Sequence, residues 1–340
     1  MRSSIPDHSF CNKLFGTLCF LFALFGALPC SAPAQTPTEQ SPAPAYTAPS
    51  PRAKRYQLDH IEGQIVFAPG SPKGEYGAGG LHLALFDPSR KAVTTVIAGD
   101  GGQFVIKDVA PGTYTLIVGA DTLQTLSIPL EVKASASGRV PLGPGLLLHM
   151  RLKTDKRKTF ATPITNMALR AEILQRLAKD QEVRNAMIQH GVDHPDKEIE
   201  ARMTAIDTQN MTRMQEIVRQ YSWPGPELIG VDGTEAAFLL VQHASHAIQK
   251  EMLPLVRRAY RAGKLVGQDY ALLVDRVLVE DGKPQIYGTR PKPFAEWKDR
   301  EPALYPIKDE EHVDKRRAEI GLFPLAEYRK MLKEMYYPQK

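Results

Sequence analysis

The residues best suited to chemistry gather in the second half of the chain. Gln242 and His243 end a nearly unbroken apolar run, Ala236-Ala237-Phe238-Leu239-Leu240-Val241, and His246 follows. Histidine titrates near neutral pH, and a carboxylate can fix its tautomer. Asp275-Arg276 interrupts a second apolar stretch, with Ala271 to Val274 before it and Val277 to Val279 after it. Ionised groups rarely enter such surroundings without a mate. Asp314 and Arg316-Arg317 form a third polar group ahead of Gly321-Leu322. These residue types allow an acid–base pair in which Asp275 orients His243. Gln242, Arg276, Gln285, Tyr287, Thr289, Asp314 and Arg317 would then contact a ligand. The same side chains can instead close on one another as a polar network, with Asp275 or Asp314 paired to Arg276, Arg316 or Arg317.

Other chemistries fit less well. His243 and His246 with Asp275 or Asp314 would make two histidines and one acid, a set that zinc accepts. The spacing is not H-E-x-x-H and no glutamate lies between the histidines, so no metal is expected. No G-x-S-x-G nucleophile elbow occurs. No Walker or dinucleotide fingerprint occurs either, so no cofactor is expected. Cys11, Cys19 and Cys30 are the three cysteines, and all lie in a leader-like segment.

That segment is the first of four. Arg2 and Lys13 precede an apolar run from Leu14 to Leu28, and Ala32-Pro33-Ala34 follows. A basic start, a short apolar stretch and an A-x-A site predict a signal peptide over 1–34. A run of fifteen residues is short for a bilayer span, so membrane contact is expected only if this segment stays uncleaved. The predicted location is secreted or periplasmic. Residues 35–57 are rich in Pro, Ala, Ser and Thr and predict an extended linker.

Over 58–152 the hydrophobic period is two. Ile61, Gly63, Ile65 and Phe67 alternate with Glu62, Gln64 and Val66, and Leu81, Leu83 and Leu85 alternate with His82 and Ala84. About seven short runs separated by turn residues predict an all-β antiparallel sandwich. The basic run 151–158 reads as a solvated linker. Over 160–340 the period is helical, with Thr165 or Asn166 as a first cap and Pro195-Asp196 opening a second helix. The stretch 283–290 reads as a short strand or loop. The fold class is therefore multidomain, a β-sandwich followed by a mainly α-helical domain. A net charge of +5 over 340 residues, with 43% apolar residues, excludes a disordered chain and gives no concentrated basic face for nucleic acid. The expected partner is a small molecule or a cell-envelope component.

Two resemblances follow from these residues. Gly102-x-Phe104 and Val109-x-Pro111-Gly112-x-Tyr114-x-Leu116 resemble the carboxypeptidase-regulatory-like, transthyretin-like sandwich. That resemblance implies fold and little about activity. In the second half, Trp223-Pro224, the run Ala236 to Ala244, Leu253-Pro254-Leu255, Tyr270 to Val277 and Lys283 to Thr289 recur in order with Val313-Asp314-x-Arg316-Arg317 and Ile320-Gly321-Leu322-x-Pro324-Leu325-x-x-Tyr328. This combination is similar to DUF6624, a bacterial family of unknown function. Members often carry an acid where Ser245 stands and Gln where Arg290 stands.

The first function reading is an exported ligand-binding or accessory protein with a polar pocket around His243 and Asp275. The alternative is a small periplasmic hydrolase using His243 and Asp275.

Overall fold

The computed structural model describes residues 43–67, 80–99, 101–134, 144–190 and 196–337. The predicted signal peptide and the first part of the linker lie outside the described residues. The chain divides into two compact units, which among described residues are 43–175 with 225–234, and 176–224 with 235–337.

Among the described residues the first unit holds nine strands: β1 Tyr56–Leu58, β2 Ile61–Phe67, β3 His82–Phe86, β4 Ala92–Ile97, β5 Gln103–Ile106, β6 Gly112–Val118, β7 Leu126–Val132, β8 Gly145–Met150 and β9 Phe160–Ile164. They form a five-stranded sheet, β1-β7-β6-β3-β4, and a four-stranded sheet, β5-β2-β8-β9. Alternation sends Leu58, Leu83, Leu85, Leu116 and Leu130 from one sheet, and Ile61, Ile65, Phe104, Leu146 and Leu148 from the other, into one core. This is the expected sandwich, and its pairings are mixed: β1 runs parallel to β7, and β2 parallel to β8. A strand that returns to its own sheet after the chain has crossed into the other one can enter in either direction. Val109 and Tyr114 pack at the edge of the core, and Tyr114 donates its hydroxyl hydrogen to the Ala110 carbonyl at 2.9 Å.

The basic run is an ordered β8–β9 connection. Arg151 and Arg157 both bind Asp155, whose carboxyl they hold below its ordinary range, and the Gln124 amide ties the turn through the Leu152, Asp155 and Arg157 carbonyls. The strand after it, β9, contains Pro163, which lacks an N–H and so suits the edge that β9 occupies.

Among the described residues seven α-helices follow: α1 Met167–His190, α2 Lys197–Tyr221, α3 Pro226–Gln242, α4 His246–Arg261, α5 Gly267–Glu280, α6 Val313–Glu319 and α7 Leu325–Tyr336. Asn166 caps α1 by accepting from the Leu169 amide at 3.0 Å, and Asp196 caps α2 through the Glu198 and Ile199 amides. α3 begins earlier than Thr234, because Pro226 starts a turn that Gly230 kinks at φ +76°. A side chain at Gly230 would strike the Gln64 amide oxygen, which accepts from Val231 N–H at 2.6 Å. In the second unit Val183 and Met187 of α1 pack against Met203 of α2, with Ile199 and Ile206 beside them. The methionines therefore fill core, as their spacing suggests.

Candidate functional site

The site is built on α1. Asp180 and Arg184 lie one helical turn apart and both are buried, Asp180 at 0% exposure and Arg184 at 3%. Their spacing puts them on one face, the face that also carries Val183 and Met187 toward α2. Arg184 grips Asp180 with Nε at 3.1 Å and one terminal nitrogen at 3.0 Å. The same terminal nitrogen reaches Asp207 of α2, and the other approaches the Met203 sulfur at 3.3 Å.

His243 completes the group. Its side chain is 2% exposed, and Nδ1 lies 3.0 and 2.9 Å from the two Asp180 carboxylate oxygens. Burial comes first in pushing the imidazole down to about 4, with the Arg184 charge next; Asp180 opposes, and the Arg276 charge adds to the fall. Burial raises Asp180, but the hydrogen bond and charge of His243 and the Arg184 guanidinium outweigh it and hold the carboxyl at about 2. At neutral pH the pair is thus a neutral imidazole donating Nδ1–H to an ionised carboxylate. Such an imidazole has a fixed tautomer and can exchange a proton or a hydrogen bond through its other nitrogen.

Asp275 does not join it. Its carboxylate accepts from the Ile286 amide at 2.7 Å, the Tyr287 amide at 3.0 Å, the Thr289 amide at 2.9 Å and the Thr289 hydroxyl at 2.9 Å. Burial pushes this carboxyl up, and those four donors pull it back. The proposed His243–Asp275 pair is replaced by His243–Asp180, because Asp275 is committed to the backbone of the 286–289 loop.

Other nominated residues hold the same loop. Arg317 donates to the Tyr287 carbonyl and the Phe323 carbonyl, each at 2.6 Å, and Arg316 donates to the Ile286 carbonyl at 3.0 Å. Gln285 bridges across the loop by donating to the Arg290 and Tyr305 carbonyls and accepting from the Arg290 amide. Asp314 accepts from the Leu325 amide at 2.6 Å, at the start of α7. Gly288 has φ +68°, and a Cβ there would lie 2.9 Å from both Ile307 and Leu325, so the turn requires glycine. Tyr287 leans edge-on against Tyr270, which stacks on Tyr260 at 4.9 Å. Burial and the neighbouring Tyr270 and Asp275 push its hydroxyl up to about 12. Asp314 therefore pairs with a backbone amide, while Arg316 and Arg317 satisfy carbonyls.

Of the remaining residues, Arg276 pairs with Glu280 at 3.2 Å and is buried close enough to His243 to influence its charge. Gln242 is the last residue of α3, and its carbonyl accepts from the side chain of the fully buried Gln249. His243 follows that helix end and His246 begins α4, so the two histidines do not share a helical face. His246 faces Glu280 at 3.2 Å and Asp281 at 2.8 Å, whereas His243 faces Asp180. The two histidines and one acid considered for zinc thus bind different partners. Among the described residues, Asp309, Glu311 and His312 are the group of three whose ligating atoms lie close together, and all three are exposed. Ser245 precedes α4 and is exposed, while Arg290 is buried beside Gln285.

Sequence reasoning missed Asp180, Arg184, Asp207 and Gln249. The signal was present: Asp180 and Arg184 continue the apolar stripe of Ile173 and Met187, where a charge pair four apart is costly unless partnered.

Among the described residues no helix is long and apolar enough to cross a membrane. Neither the curated proteins nor the solved structures contain a match to this chain. Residues 167–339 match a family described as a family of unknown function, DUF6624. That stretch, which contains the Asp180–His243 group and the braced 285–290 loop, is more than half of the chain, and the chain belongs to the DUF6624 family.

Proposed function

We propose that the chain is an exported ligand-binding protein whose helical unit recognises a small molecule at Asp180, Arg184 and His243, with Arg276 beside them. One observation carries the reading: a buried, neutral His243 held in one tautomer by an ionised Asp180 that is itself clamped by Arg184. Buried ion pairs seldom out-stabilise apolar residues of similar volume, so a role in recognition explains their presence better than stability does. Export rests on the basic start, the apolar run and the A-x-A site of residues 1–34. The sandwich, through Gly102-x-Phe104 and Pro111-Gly112-x-Tyr114, is read as a carboxypeptidase-regulatory-like module that spaces or docks the helical unit.

The hydrolase alternative needs a His243–Asp275 pair, and the commitment of Asp275 to the 286–289 loop speaks against that pair and against a pocket shared by His243 and Asp275 alike, so the binding reading rests on Asp180 instead. The test is thermal unfolding of the full chain with a panel of small polar metabolites, beside His243→Ala. At least one of them raises the midpoint of the unsubstituted chain, and His243→Ala abolishes that rise while remaining folded. No rise with any of them, or the same rise in the variant, contradicts the proposal.

A further inference from the structure

Arg257, Arg258, Arg261 and Lys264 crowd the end of α4, and no acid stands between Glu251 and Asp269. The chain-wide net charge of +5, read as giving no concentrated basic face, hides this cluster. Met252, Val256 and Ala259 turn one side of α4 inward, so Arg257, Arg258 and Arg261 stand exposed on the other. Arg257 and Arg261, four apart, share a face. Lys264 follows Gly263, whose positive φ closes the helix, and is exposed as well. Among the described residues none of these four side chains enters an ion pair or a hydrogen bond. The helix dipole accounts for cations in the last turn, Arg258 and Arg261. It does not account for Arg257, Lys264 or the missing acids. Exposed apolar side chains border the charges. Val266 is 48% exposed at the corner between α4 and α5, and Phe323 is 55% exposed. A Cβ at Gly267 would collide with the Ile320 carbonyl, so the turn that leads to Phe323 packs against the residue after Val266. That turn is fixed by Gly321 at φ +74° and by the Gly321 and Leu322 amides, which donate to the Ala318 and Arg317 carbonyls at 3.1 and 2.9 Å.

We propose that this corner of the helical unit docks on the surface of an anionic lipid bilayer. Charge complementarity is the first argument: four cations without a partner in the protein gain from lipid phosphates, each adding to the attraction while it lies near the surface. The apolar rim is the second. Phe323 and Val266 project beside the charges and gain by entering the boundary between headgroups and acyl chains. Val266 also separates a bilayer from a nucleic acid, which rewards cations and stacking rings but offers an aliphatic side chain nothing. The contact lies on the surface and requires no spanning helix.

Hydrogen exchange of the full chain mixed with lipid vesicles tests it. Exchange is read at 262–266 and 321–323, so a contact made by residues 1–34 does not enter. Vesicles of phosphatidylcholine with phosphatidylglycerol slow both segments, and phosphatidylcholine alone does not. Arg257→Gln with Arg261→Gln, at exposed positions that leave the core untouched, lowers this protection about tenfold or more, as does added salt. Phe323→Ser lowers it too. No slowing on anionic vesicles, equal slowing on neutral ones, or protection that survives both variants overturns the proposal. Slowing of the same segments by duplex DNA and not by anionic vesicles assigns the patch to nucleic acid and overturns it as well.

Discussion

His243 stays uncharged against a carboxylate because it is buried and Arg184 shares that carboxylate. In the open, an aspartate beside a histidine favours the imidazolium; here desolvation and a guanidinium reverse that preference. Nitrogen-15 NMR of the full chain therefore shows the His243 ring as the neutral Nδ1–H tautomer from pH 7 down to about 5. A ring that titrates near 6.5, or carries its proton on Nε2, contradicts the assignment. Replacing Asp180 by Asn leaves Arg184 buried with a weaker partner and lowers stability by about 3 kcal/mol. In the double variant with His243→Gln the loss is smaller than the sum of the two, which a urea unfolding cycle measures. His243 was visible in the sequence because it ends an apolar run. Asp180 was not, because nothing in its own segment names the histidine 63 residues on as its partner.

The 285–290 loop shows how an element with no regular hydrogen-bond ladder is fixed. Its amides go to Asp275 and its carbonyls to Arg316, Arg317 and Gln285, so backbone groups of Ile286, Tyr287, Thr289 and Arg290 find side chains. Removing the carboxylate strands several buried amides at once. Asp275→Ala is thus expected to cost about 3 kcal/mol, and hydrogen exchange at Ile286, Tyr287 and Thr289 accelerates with it. Asp275→Asn, which still offers one carbonyl oxygen, loses less. Unchanged protection at those amides in Asp275→Ala contradicts this role. That Asp275 needed a buried mate was legible from the apolar residues around it. The mate was not, because backbone amides carry no residue type to read, and a polar stretch such as Gln285 to Arg290 reads alike as ligand contacts or as self-bracing. Helix positions were legible where caps were conventional, as at Asn166 and Asp196. α3 and α4 begin earlier than their apolar periods suggest, through the Gly230 kink and through Ser245 and His246, which have no apolar pattern.

At the scale of the molecule, the change of period from two to helical near residue 165 made the order of sandwich and helices legible. Pairing was less so: period two says which residues face inward, not whether a neighbour runs parallel, and both parallel pairs join strands distant in sequence. β9 was hidden by Pro163 and by the basic run before it. Both tryptophans, Trp223 and Trp297, belong to the helical unit, so their fluorescence reports its unfolding without a sandwich signal. This permits the most direct test of the buried Asp180–His243 pair, the stability of the helical unit as a function of pH. Because the folded His243 value of about 4 lies below the ordinary 6.5, the unfolded chain binds the extra proton between these values, and stability falls as pH falls through that window. Asp180, held at about 2 instead of 3.8, adds a further loss at more acidic pH. The expected result is a decrease of about 3 kcal/mol between pH 7 and pH 4 that is absent from His243→Gln. A slope that is the same in both proteins contradicts a buried neutral His243, and with it the recognition centre.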